Sequence, residues 1–302
     1  MADGACPSGQ QFELRFGEQR VVVVEVGGGL RLYELDGRPL LDGYAEDAMA
    51  SSGRGQVLIP WPNRIEDGEY DFDGAHHVLP LTEPSMNNAI HGLVRWEAWS
   101  PAEQDPDRVV LTHTLHPRPG YPFTLELSLE YALSAAGLRV TTTATNTGAA
   151  SCPYGSGCHP YLTLGTETVD PLVLHVPAET MLETDARGIP SSSEPVAGSL
   201  DFRTPRAIGS TVLDHAFTGL QRGADGRARV ELRAPAGDGV CVWLDEAYGF
   251  VQLFTGDPLP GVNRRSIAVE PMTCAPNAFR NGGARTLAPG ETATSAWGIE
   301  PL

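Results

Sequence analysis

An all-β fold, a large antiparallel β-sandwich, is what this 302-residue sequence predicts, and three observations carry that prediction. The dominant hydrophobic period is two. Thr124-Leu125-Glu126-Leu127-Ser128-Leu129-Glu130 alternates polar and apolar without a break, and much of Leu138-Arg139-Val140-Thr141-Thr142-Thr143-Ala144 does the same, as half-buried strands require. Gly and Pro, 34 and 25 residues respectively, punctuate the gaps between such runs. No long segment sustains a 3.6-residue period, so an amphipathic helix has no sequence to build on.

In chain order, strands are expected over 20–26 and 30–35, two apolar runs separated by Gly27-Gly28-Gly29. That glycine run resembles a phosphate loop only at first sight. The third glycine of the phosphate pattern is replaced by Leu32 and no helix follows, so a tight hairpin turn is expected. Further strands are expected over 109–115, 124–130 and 138–144. Gly155-Ser156-Gly157 is not a nucleophile elbow, because Tyr154 stands where the first glycine belongs. The series continues over 172–176, 228–233, 239–244, 250–255 and 292–299. Many strands at short spacing imply two large sheets packed face to face. No linker, charge block, composition shift or internal repeat marks a boundary, so residues 1–302 are expected to form one domain.

Composition excludes several function classes. The formal net charge of −17 argues against a nucleic-acid partner, which needs a basic face, and weakly disfavours a phosphorylated substrate. No run of about 18 apolar residues is present, so no membrane association is expected. The start, Met1-Ala2-Asp3-Gly4-Ala5-Cys6, has no basic or apolar segment of a secretory signal, and no Asn-x-Ser/Thr sequon occurs. Five cysteines, an odd number without paired spacing, suit a reducing cytoplasm. A monomer or a homodimer fits equally.

Two histidines and a glutamate sit in the most unusual stretches: His91 in Asn87-Asn88-Ala89-Ile90-His91-Gly92, His159 in Gly157-Cys158-His159-Pro160-Tyr161, and Glu270 in Ala268-Val269-Glu270-Pro271-Met272-Thr273. Each lies among Gly, Pro or Asn at the edge of an apolar run, where folds present reactive groups. A carboxylate base and an imidazole acid are what a reversible proton transfer near neutral pH needs. Glu270 is expected to be ionised at pH 7, with partial burial raising its basicity, and His159 to titrate near its ordinary value of about 6.5. Read without context, Glu270 is equally a strand-end carboxylate in a salt bridge, His159 a core histidine or a zinc ligand with Cys152 and Cys158, and His91 a turn residue. The Cys-x5-Cys-His spacing matches no common structural zinc pattern, so no metal is expected. His76 and His77 read as exposed turn residues and His113 as a packed core histidine.

Ile59-Pro60-Trp61-Pro62-Asn63-Arg64-Ile65, followed by Asp67-Gly68 and Phe72-Asp73-Gly74, resembles the N-terminal signature of the aldose 1-epimerases, or galactose mutarotases. Asn88-Ala89-Ile90-His91-Gly92-Leu93, Cys158-His159-Pro160-Tyr161, Leu213-Asp214-His215-Ala216-Phe217 and Val269-Glu270-Pro271 follow in that family's order. Asn277-Ala278-Phe279 and Leu287-Ala288-Pro289-Gly290-Glu291 complete a resemblance covering most of the chain from Arg20 onward. Each motif is short; their order makes the signal specific. The resemblance implies a galactose mutarotase-like supersandwich with an open cleft on one concave face, and a cofactor-free interconversion of the α and β anomers of a free hexose. It implies Glu270 as base, His159 as acid, and His91 near the ring oxygen in support. It further implies that Asp214 and Arg64 hold sugar hydroxyls, with Asn63 beside them in the binding set. Read alone, Asp214 is also an Asx-turn residue, Arg64 a surface ion pair with Glu66 or Asp67, Asn63 a turn former, and Trp61 either core or a sugar platform.

Three rivals remain at this stage. A hexose-6-phosphate epimerase would need a cationic pocket, for which Arg64 and Arg95 are available. A sugar-binding module on the same scaffold would need no acid and base together. A glycoside hydrolase would use Asp214 and Glu270 as a carboxyl pair at a defined separation.

Overall fold

The computed structural model describes residues 6–259 and 263–302. Among these, strands order into two large antiparallel sheets. A nine-stranded sheet runs Ser100–Asp105, Arg108–Leu115, Leu125–Ser134, Gly137–Asn146, Thr292–Pro301, Gly239–Leu244, Ala228–Arg233, Val173–His175 and Arg206–Ala207. An eight-stranded sheet runs Pro190–Pro195, Ala178–Thr184, Asp214–Leu220, Phe250–Phe254, Ile267–Met272, Gly157–Cys158 and Val57–Leu58, with Tyr161–Leu162 also paired to Ile267–Met272. A four-stranded sheet near the N-terminus and three short two-stranded pairs complete the described strands. The one α-helix among the described residues is the single turn Ala278–Asn281, and no helix is long and apolar enough to cross a membrane.

The period of two does the packing. Leu125, Leu127, Leu129, Tyr131 and Leu133 are buried while the residues between them are not, and the strand pairs with Gly137–Asn146 from Leu125↔Asn146 to Ser134↔Gly137. These side chains share one apolar cluster with Phe217, Val251, Leu253 and Val269 of the eight-stranded sheet. Each buried side chain of this size contributes about 1.5–3 kcal/mol, so the facing sheets hold each other. The other face of the eight-stranded sheet is thereby left for a different use.

All ten strands expected from the sequence are present, with 30–35, 228–233 and 239–244 matched at both ends. Gly27-Gly28-Gly29 joins the antiparallel strands Gln19–Val24 and Leu30–Leu35, as a hairpin connection should. Ser156 is buried between sheet strands, not raised on an elbow. Two readings need correction. His76 and His77 lie in the hairpin strand Ala75–Val78, where His77 stacks on Tyr70 at 4.8 Å, so they are not turn residues. His113 does point with Leu111 and Leu115 but is only half-buried, because the sheet edge beside it carries the exposed strand Ser100–Asp105.

Candidate active site

A cleft of about 430 Å³ opens on the outer face of the eight-stranded sheet, and Asn63, Arg64, His91, His159, Asp214 and Glu270 all line it. Every site residue expected from the sequence is therefore brought to one place. A depression of about 510 Å³ on the nine-stranded sheet is larger, but it is lined mainly by Thr and Ser around His113 and Glu126 and gathers no comparable set of acid and base groups.

Strand register sets the carboxylates. Gln252 stands directly opposite both Ala216 and Glu270, and Asp214 is two residues from Ala216, so Asp214, Gln252 and Glu270 share the outer face. The Gln252 amide donates to Asp214 Oδ1 at 2.7 Å, fixing that carboxylate at the cleft wall. Asp214 is exposed to the cleft, yet enclosure by the surrounding protein raises its pKa. Glu270 is only 2% exposed. Burial first, then the charge of Asp214, pushes its pKa well above the usual carboxylate range, opposed by Arg64.

His159 Nε2 lies 3.3 Å from Glu270 Oε1. Its ring stacks on Tyr161 at 4.9 Å and meets His91 edge-on at 5.3 Å. The close packing extends to the backbone: a Cβ on Gly53, whose φ is +78°, would sit 2.6 Å from His159 Cδ2. Burial, then the nearby Arg95 and Arg54 charges, lowers the His159 pKa to about 3. This corrects the sequence expectation of a histidine titrating near neutrality. The direction expected for Glu270 is found, and because burial is nearly complete, desolvation disfavours the charged form of both groups.

His91 is clasped by Asn63. The Asn63 backbone N–H donates to His91 Nδ1 at 3.2 Å, and the His91 N–H donates to the Asn63 carbonyl at 2.9 Å. An accepting Nδ1 leaves the neutral ring's proton on Nε2, available as a donor. Both residues are left-handed, with φ of +56° and +62°, and Gly92 follows at +71° because a Cβ there would stand 2.1 Å from the Ile59 carbonyl. Burial and the cations and imidazole around it lower the His91 pKa well below its usual value.

Arg64 does not pair with Glu66 or Asp67. It is held in a fork by Glu83, Nε to Oε2 at 2.8 Å and Nη2 to Oε1 at 2.9 Å, and Asn88 in turn donates to Glu83 at 3.1 Å. Trp61 is buried against Phe279 and is not part of the cleft lining. His91, His159 and Glu270 each offer one ligand atom within 4.8 Å of the others, a spread that a divalent cation can bridge. Glu270 Oε2 and His159 Nδ1 are buried without a hydrogen-bond partner, which is uncommon for polar atoms in folded proteins.

The family model described as aldose 1-epimerase matches residues 10–299. The chain belongs to the aldose 1-epimerase family. It is 36% identical over 277 residues to the uncharacterized protein YihR of Escherichia coli K12, covering 91% of this chain and 87% of that one. Among solved structures, galactose 1-epimerase from Lactobacillus acidophilus is similar with a TM-score of 0.77 at 23% identity, covering 95% of this chain and 92% of that one. An aldose epimerase homologue from C. elegans gives a TM-score of 0.86 at 15% identity, covering 97% and 98%. Both share the aldose 1-epimerase fold with this chain. Sequence reasoning missed Gln252 and Glu83. A lone polar residue within Phe250–Phe254 was the available signal for Gln252, whereas Glu83 sits in a loop that carries none.

Proposed function

We propose that this protein interconverts the α and β anomers of a free aldose by acid–base ring opening and closure. The observation that carries the reading is the buried Glu270–His159 pair, 3.3 Å apart, with the second Glu270 oxygen unpartnered, in the lining of a cleft that also holds His91 and Asp214.

Before reaction the pair holds one proton. Hydrogen bonds from a sugar hydroxyl stabilise a carboxylate, so a bound sugar favours the form with Glu270 ionised and His159 protonated. Glu270 then takes the proton of the C1 hydroxyl while His159 gives its proton to the ring oxygen. The bond between C1 and the ring oxygen breaks, leaving an aldehyde at C1 and a hydroxyl at C5. Rotation about the C1–C2 bond turns the other carbonyl face to the C5 hydroxyl. Closure reverses both transfers, so the pair again holds one proton and needs no external reset. His91 Nε2–H supports the ring oxygen, while Asp214 and Arg64 fix sugar hydroxyls and Asn63 holds His91 in place. The scheme uses acid and base alone and assigns no cofactor.

A hexose-6-phosphate reading draws on Arg64 and Arg95. It is less favoured because the Arg64 charge is already taken by Glu83. Polarimetry on fresh α-anomers of several aldoses tests the proposal. Rates above buffer support it. Failure on every free and phosphorylated aldose leaves only sugar binding, and release of reducing sugar from an aryl glycoside favours a hydrolase.

A further inference from the structure

Arg95 is the feature that ring opening of a neutral hexose does not use. It lines the cleft and is half-buried. Its Nε is buried with no partner, and its hydrogen bond is a long one from Nη2 to the Ile90 carbonyl at 3.4 Å. Among the described residues no carboxylate lies within ion-pair distance of it, whereas the other cleft arginine, Arg64, is neutralised by Glu83. A desolvated guanidinium without a counter-charge is costly, and burial lowers the Arg95 pKa accordingly. Such a group is stabilised when an anion arrives.

The cleft is polarised along one direction. Arg95 reaches the Ile90 carbonyl next to His91, whose ring meets His159, whereas Asp214 is bonded to Gln252, which stands opposite Glu270. Arg95 thus sits on the His91 side and Asp214 on the Glu270 side. This order meets the chemistry of an aldopyranose. With the C1 hydroxyl on Glu270 and the ring oxygen at His159, C5 lies on the far side of the ring oxygen from C1. The C6 substituent, carried by C5, then extends past the histidines toward Arg95.

We infer that the substrate is an aldose with a singly charged acidic group at C6, a carboxylate or sulfonate, held by Arg95. One unpaired guanidinium matches one negative charge, and its fork suits a planar or tetrahedral oxyanion. A phosphate dianion would leave a charge uncompensated in a cleft that already contains Asp214. The inference rests on the proposed ring-opening function, because the roles of Glu270 and His159 orient the sugar.

The test compares anomer exchange, followed by NMR, for glucuronate, glucose and glucose 6-phosphate with the full-length wild type and with Arg95→Gln and Arg95→Lys. We expect kcat/KM for glucuronate to exceed that for glucose by about 10- to 100-fold, the effect of one charge-assisted hydrogen bond. Arg95→Gln should collapse that ratio toward one, and Arg95→Lys should retain part of it. Equal or better turnover of glucose by the wild type overturns this inference while leaving ring opening intact. Preference for glucose 6-phosphate over glucuronate overturns the single-charge assignment. No acceleration of any of the three, or of other free aldoses, overturns the functional reading and this inference together. The wild-type comparison stands even if a variant does not fold.

Discussion

At the scale of single residues, the proposed chemistry reduces to one proton on two buried groups. Glu270 is pushed up and His159 down to about 3 by the same desolvation. Above the lowered His159 value the pair therefore holds one proton until Glu270 ionises. We expect kcat/KM to show no histidine step near pH 6.5 and to fall as pH rises through the raised Glu270 value. A decline centred near 6.5 in the pH–rate profile would contradict the assignment. Stability follows the same groups with opposite signs. The raised Glu270 pKa gives stability that is full below the ordinary carboxylate value and is lost as pH rises through the folded value. The lowered His159 pKa gives stability present above about 6.5 and lost as pH falls through about 3. Near neutrality and above, Glu270→Gln removes the first penalty. That variant should gain about 0.5–2 kcal/mol in urea unfolding at pH 8, a range common for relieved functional strain. A loss of stability there would mean the carboxylate is not strained by burial.

Among elements, the strand triplet Asp214–Leu220, Phe250–Phe254 and Ile267–Met272 does the positioning. Its register places Gln252 between Asp214 and Glu270. Gln252→Leu should raise KM for the sugar about tenfold, the value of one lost hydrogen bond to a charged group, with a smaller effect on kcat. Steady-state kinetics read this directly; an unchanged KM would deny Asp214 its binding role. This triplet also shows why sequence periodicity finds some strands and misses others. Leu125–Ser134 has one wet face and one dry face and so alternates visibly. Ile267–Met272 is buried at all six positions, core on one side and cleft wall on the other, and so shows no alternation. Glu270 was legible there only through its motif.

For the whole molecule, the fold class and the residues that share the cleft were readable, but the strand pairing was not. Antiparallel sheets follow from a local period, whereas the pairing of Gly137–Asn146 with Thr292–Pro301, or of Gly157–Cys158 with Val57–Leu58, joins segments far apart in sequence. The motifs named His91, His159 and Glu270, yet nothing in them gave a 3.3 Å contact or the burial that shifts both groups toward their uncharged forms. The same trio is close enough to bridge a cation, so the acid–base scheme makes a separate prediction. Dialysis against a chelator should leave kcat/KM unchanged, and loss of activity restored by a divalent metal would require a different mechanism.

The central claim is that Glu270 moves the proton that opens the sugar ring, and Glu270→Gln tests it most directly because the change is nearly isosteric. We expect anomer exchange in a substrate aldose to fall by about 10²- to 10⁴-fold in kcat, while calorimetric affinity for that sugar stays within a few-fold of wild type. A Glu270→Gln protein that exchanges anomers at the wild-type rate would contradict the claim.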